Sequence, residues 1–131
     1  MINIKELSVG NWVRFPHGID KIDELCRWAN SAASATKRPV SAENLEPIEI
    51  TLEILEKNGW KLGKYSSATL EIEDKRVILD FTKFGILLRI FVVIDNILEG
   101  EDFQILDIRI NGVHQLQNAL ALCRIDKEIE L

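Results

Sequence analysis

Between Ala68 and Ile110, apolar residues recur at every second position in four consecutive segments, each closed by a short polar turn. That spacing puts alternate side chains on opposite faces of an extended chain and commits the region to antiparallel strands. In the first segment Leu70 and Ile72 face one way and Thr69, Glu71 and Glu73 the other. Asp74-Lys75 then turns the chain into Arg76 to Thr82, where Val77, Leu79 and Phe81 alternate with Arg76, Asp80 and Thr82, and Ile78 interrupts the polar face. After Lys83-Phe84-Gly85 comes Ile86 to Ile94. Here Ile86, Leu88, Ile90, Val92 and Ile94 form one face, and Leu87, Phe91 and Val93 make the other apolar too, which predicts a central strand covered on both sides. An acidic loop, Glu99-Gly100-Glu101-Asp102, leads to a fourth strand, Phe103 to Ile110, ended by Asn111-Gly112.

Two helices are expected to pack on this meander. Thr51 is placed to cap the first, because its hydroxyl can accept from an early backbone N–H that has no intrahelical partner. Leu52, Ile54 and Leu55 supply an apolar stripe, Gly59 ends the helix, and Trp60 folds back onto it. The second helix sets Val113, Leu116, Leu120 and Cys123 on one continuous face, and Gln115 is spaced to bond back to its first turn. The charged tail, Arg124 to Leu131, either extends this helix or frays.

The first fifty residues read differently. Gly10-Asn11 signals a turn, Trp12 and Val13 open a short strand, and Pro16-His17-Gly18 stops it. Ile19 to Trp28 fits two descriptions: Ile19, Ile22, Leu25 and Cys26 share a helical face, while a position just after a turn suits the second strand of a hairpin. The small residues Ala29 to Thr36 have little to bury and read as a loop reaching Pro39. All 131 residues are therefore expected to form a single α+β domain, with a strand-rich, barrel-like element over 1–50 and the helices and sheet over 51–131.

The composition is 47% hydrophobic and 28% charged, which is that of an ordinary folded chain. The net charge of -5 argues against tracking a phosphate backbone, since non-specific nucleic-acid affinity comes from Lys and Arg displacing counterions. Cys26 and Cys123 stand 97 positions apart, belong to no metal or redox spacing, and read as free buried thiols more readily than as a disulfide, since nothing in the sequence indicates export. The N-terminus shows no signal-peptide pattern, and the longest apolar run is too short to span a bilayer, so a cytoplasmic location is expected.

Three stretches carry a resemblance: Ser8-Val9-Gly10-Asn11-Trp12-Val13, Glu46-Pro47-Ile48-Glu49-Ile50-Thr51 with Asn58-Gly59-Trp60, and Val113-His114-Gln115-Leu116-Gln117-Asn118 followed by Ala121-Leu122. They resemble a family of small uncharacterised proteins of bacteria and their phages or mobile elements, with an Ile-Gly-Asn-apolar-Val opening, a Pro-Ile-Pro-Leu-Thr lead into a helix, and a closing Val-His-Gln-Leu-Gln-Asn helix. The chain departs from that pattern at Glu49, where the family has proline, and at Cys123-Arg124-Ile125-Asp126, where it has Thr-Gly-Glu-Glu. The resemblance supports the fold and implies no activity.

His114 and Asn118 stack on one helix face beside Gln115 and Gln117, a cluster able to read a polar ligand or another backbone. The weightier reading is that these groups serve backbone inside the same molecule, because most side-chain hydrogen bonds do. No nucleophile elbow, metalloprotease motif, phosphate loop or calcium loop is present, so no catalytic, cofactor or metal residue is assigned. His17 reads as a turn residue. Of the tryptophans, Trp12 and Trp60 read as core or core edge, and Trp28 as the exposed one able to anchor a partner. The leading expectation is a non-catalytic interaction or accessory protein that binds an unknown protein or a second copy of itself. Two alternatives stand beside it. One is a nucleic-acid module using a basic groove of Arg14, Lys21, Arg27, Lys37 and Arg38, and the other is an enzyme centred on His114 with a carboxylate in reach and a pocket around it.

Overall fold

A computed structural model of the chain describes residues 2–36, 38–93 and 102–131. It is mixed α+β, with two α-helices and ten strands in three antiparallel sheets among the described residues, and the chain divides into two compact units.

The first unit comprises 1–49 and 112–119. A 3-10 turn at Ile4–Glu6 is capped by Asn3, whose side chain accepts from the Lys5 N–H at 3.0 Å. β1 (Trp12–Phe15) and β2 (Gly18–Lys21) then form a two-stranded sheet in which Phe15 faces Gly18. Gly18 takes φ +133, a conformation that costs a residue with a Cβ far more. That tight turn decides the ambiguous segment after Pro16 in favour of a hairpin: a four-residue apolar spacing does not outweigh a turn that returns the chain at once.

β3 (Glu24–Cys26), β4 (Ser31–Ala33) and β5 (Val40–Ser41) make a three-stranded sheet with β4 in the middle. The expected loop over residues 29–39 is thus corrected, because its small residues 31–33 form the central strand and all three are buried. Small side chains contribute little to a core, yet they leave room for neighbours on both sides, and the backbone pairing holds the strand. Around this sheet a core gathers Ile2, Ile4, Leu7, Val13, Phe15, Ile22, Ala32, Ala42 and Leu45.

The second unit comprises 50–111 and 120–131. α1 (Leu52–Lys57) starts as expected, with the Thr51 hydroxyl accepting from the Ile54 N–H at 3.2 Å. Only Leu55 of its apolar stripe is buried; Ile54 is half-buried and Leu52 exposed. Gly59 follows at φ +86, and the buried Trp60 returns its N–H to the Leu55 carbonyl at 3.0 Å.

The sheet of this unit corrects the four-stranded expectation by one strand. β6 (Lys61–Leu62), β7 (Ser67–Ile72), β8 (Lys75–Thr82), β9 (Gly85–Val93) and β10 (Asp102–Ile110) lie side by side in chain order. β6 is two residues long, too short to show an alternation. The turn into β8 is Glu73-Asp74 rather than Asp74-Lys75, with Glu73 at φ +54. β9 lies between β8 and β10, with Ile86, Leu88 and Ile90 buried. Its other face is only half-covered: Leu87, Phe91 and Val93 are half-buried, and Arg89 among them bonds to Asp80 of β8. An ion pair in the middle of that face keeps it at the solvent boundary. Ile94 and the acidic residues 99–101 lie outside the described residues.

α2 (Val113–Leu122) closes the chain's regular structure; its first seven residues belong to the first unit and its last three to the second. The tail neither extends α2 nor frays. Arg124 takes a left-handed φ of +58, and the Ile125 N–H returns to the Leu120 carbonyl at 2.8 Å, which ends the helix. Beyond it Ile125 and Ile129 are buried. The buried amide of Asn58 grips Glu130 on both sides, accepting from its N–H and donating to its carbonyl, each at 2.7 Å.

Candidate functional site

The polar residues of the closing helix sit in its first two turns, within the first unit. α2 begins where the Val113 N–H donates to the Ile48 carbonyl at 2.9 Å and the Gly112 carbonyl accepts from Gln115 and Leu116. Gly112 has no room for a side chain, since a Cβ there would lie 2.9 Å from both Pro47 Cβ and His114 Nδ1. The segment Pro47-Ile48 therefore lies directly against the helix start.

Gln117 faces the Gly10-Asn11-Trp12 turn. Its Oε1 accepts from the Trp12 N–H at 2.8 Å and its Nε2 donates to the Gly10 carbonyl at 3.1 Å. One amide thus binds the backbone on either side of Asn11, as a neighbouring strand would. Asn11 is itself buried and reaches Asn118: Asn11 Nδ2 donates to Asn118 Oδ1 at 2.9 Å, and Asn118 Nδ2 donates to Asn11 Oδ1 at 3.2 Å and to the Glu6 carbonyl at 2.6 Å. Asn11 Oδ1 also accepts from the Ser8 N–H at 2.8 Å and shapes the turn whose Gly10 takes φ +93.

His114 is 1% exposed. Its Nε2 lies 3.3 Å from a Glu6 carboxylate oxygen, while Nδ1, also buried, has no hydrogen-bond partner among the described residues. Burial pushes its pKa below the ordinary value, because the imidazolium loses hydration, and the Glu6 hydrogen bond opposes that shift without cancelling it. Gln115 is half-buried on the same helix.

The arrangement joins three stretches far apart in sequence, the Gly10 turn, Pro47-Ile48 and the start of α2, through amide groups matched to backbone. The contacts of Gln117 and Asn118 are of the kind that fix a loop. A carboxylate stands within reach of His114, but the ring is closed off from solvent. Two hollows in the surface are lined by other residues: a groove of about 360 Å³ by Leu52, Glu53, Glu56, Lys57 and Leu62, and a smaller one by residues of β3 and β4 together with Pro39.

The remaining candidates separate. His17 lies at the β1–β2 turn, 3.2 Å from Asp20 and stacked on Phe15. Arg27 donates to the carbonyls of Ile4 and Leu7, and the Lys21 ammonium lies 5.0 Å above the Trp12 ring. Arg14 and Arg38 are exposed, and Lys37 lies outside the described residues. Cys26 and Cys123 are free and half-buried, and burial raises the Cys123 thiol pKa. Trp12 is half-buried, Trp60 buried, and Trp28 is 91% exposed at the turn between β3 and β4.

Sequence reasoning missed the exposed side chains of β10, where Phe103 is 64%, Ile105 41% and Ile108 39% exposed. The alternation sets Leu106, Ile108 and Ile110 opposite Asp107 and Arg109, but no pattern within the strand signals that it lies on an edge. Among the described residues, no helix is long and apolar enough to cross a membrane, and no group of three or more His, Cys, Asp or Glu could hold a metal ion. No protein-family model, curated protein or solved structure matches the chain.

Proposed function

We propose that this chain belongs with the small bacterial and phage proteins it resembles and acts in the cytoplasm as a non-catalytic interaction or accessory protein, with Trp28 as an anchor for a protein partner. The observation that carries the reading is the placement of Trp28. A tryptophan offers a large apolar surface with few rotatable bonds, the profile of an interface hot spot. Here it stands in solvent on a turn that is held in place: the Asn30 N–H closes back on the Arg27 carbonyl at 3.2 Å, and the Arg27 guanidinium is tied to the Ile4 and Leu7 carbonyls. A support fixed before binding lowers the ordering cost of association.

The test uses the tagged full chain and its Trp28→Ser variant as baits in a lysate of the producing cells. The variant should fold and melt like the parent and lose the proteins that the parent retains. Retention of the same proteins by both baits, or of none by either, overturns the reading.

A further inference from the structure

We infer that β10 is a self-association edge, on which a second copy of the chain adds its own β10 antiparallel in one register. The inference rests on reading the chain as an interaction protein and names the surface and the partner. β10 is nine residues long and, among the described residues, pairs on one side only, with β9.

Which backbone groups face outward follows from the ladder. In antiparallel pairs, residues bonded to one neighbour alternate with residues bonded to the other. The Val93 N–H donates to the Asp74 carbonyl across from β8, so the odd-numbered residues of β9 bond towards β8 and the even-numbered ones towards β10. Ile86, Leu88 and Ile90 are therefore bonded to Ile110, Ile108 and Leu106. The residues between, Asp107 and Arg109, direct their N–H and C=O groups to the free edge. Upstream, the register slips between Gln104 and Leu106, so Leu106 to Ile110 is the regular stretch.

Charge selects the register. A two-fold axis through Ile108 sets Asp107 of each copy opposite Arg109 of the other, with outward backbone groups on both. Moving the axis to Asp107 or to Arg109 puts like charges directly opposite, which destabilises a cross-strand pair. Axes between residues match outward groups with inward ones and form no ladder. In the favoured register the exposed Ile108 meets its own copy, and the half-buried Leu106 faces the buried Ile110, so apolar side chains adjoin across the seam on that face. Edge charges also guard strands against random pairing, and here the same two residues would exclude the wrong registers.

Sedimentation of the full chain over a range of concentrations, with variants that keep the native circular dichroism, tests this. The parent should form a dimer. Arg109→Asp and Asp107→Arg each create two like-charge pairs in the dimer and should weaken it about tenfold or more, while the double exchange Asp107→Arg/Arg109→Asp should restore it. A parent that stays monomeric at every concentration, or single variants that dimerise as well as the parent, overturns the inference. So does a double exchange that fails to rescue. A monomer that still retains a partner through Trp28 removes the edge and keeps the proposed function; a rescued dimer whose bait experiment is indifferent to Trp28 does the reverse.

Discussion

The start of α2 and the strand β10 carry opposite kinds of side chain. His114, Gln117 and Asn118 are polar, and their hydrogen bonds end on Glu6, Gly10, Asn11 and Trp12 of the same chain. β10 is mostly apolar, yet Phe103, Ile105 and Ile108 remain open to solvent. The contrast teaches that residue type tells what a group needs, while topology decides whether the need is met inside the molecule. An amide beside a turn finds backbone to bind. An isoleucine on an edge strand has a neighbour on one side only.

The largest effect tests the apolar half of this contrast within one hydrogen-bonded pair. Leu88 of β9 and Ile108 of β10 face each other, and Leu88 is wholly buried where Ile108 is not. Leu88→Ala should cost about 2–5 kcal/mol of unfolding free energy, through lost burial and the cavity left behind. Ile108→Ala should cost about 1 kcal/mol or less, because part of its surface is already in water. Denaturant titration of both variants at a concentration where the parent is monomeric measures the difference, and equal costs would mean that the edge is as enclosed as the centre.

On the polar half, Asn118→Ala removes an acceptor for the buried Asn11 amide and a donor for the Glu6 carbonyl. Stranding those groups should cost about 2 kcal/mol. Ala121→Ser, at an exposed position of the same helix, is the matched control and should change stability by no more than about 0.5 kcal/mol. A ligand-binding role for the cluster would show the reverse, with stability kept when Asn118 is lost.

How much of this was legible in the sequence depended on distance along the chain. β7 to β10 were readable because alternation and tight turns are local signals, and the Thr51 cap needed only three residues. β4 was not, since Ser31, Ala32 and Ala33 have no apolar bulk and are held by backbone pairing to β3 and β5. The tail was misread because its partner, Asn58, lies 72 positions away from Glu130. The polar cluster was visible as a face of one helix, but its partners around Gly10 to Trp12 are more than a hundred residues upstream. The stretches of the resemblance at Gly10-Asn11-Trp12, Pro47-Ile48 and His114 to Asn118 meet at one junction, which helical spacing alone does not reveal.

His114 gives a smaller effect with a definite sign. Its folded pKa lies below the ordinary histidine value of 6.5, so between the two values the unfolded chain binds a proton that the folded chain does not. The contribution is therefore fully favourable above about pH 6.5, shrinks as the pH falls through that value, and levels off below the folded pKa. His114→Gln removes this titration. Its denaturation midpoint should fall less than that of the parent as the pH is lowered through this window, and parallel profiles would place the imidazole in a solvent-like setting.

The smallest expected effect is the most informative about the edge. Phe103 faces Val92 across the ladder and is nearly two-thirds exposed. Phe103→Ser in the monomer should shift stability by about 0.5 kcal/mol or less, since the ring has little contact to lose. The same change should reduce binding of a dye that reports exposed apolar surface, because it removes a large apolar group that the fold leaves in water. A cost near that of Leu88→Ala would show that Phe103 is enclosed in solution, and the contrast between an inward polar helix and an outward apolar strand would then narrow to Ile105 and Ile108.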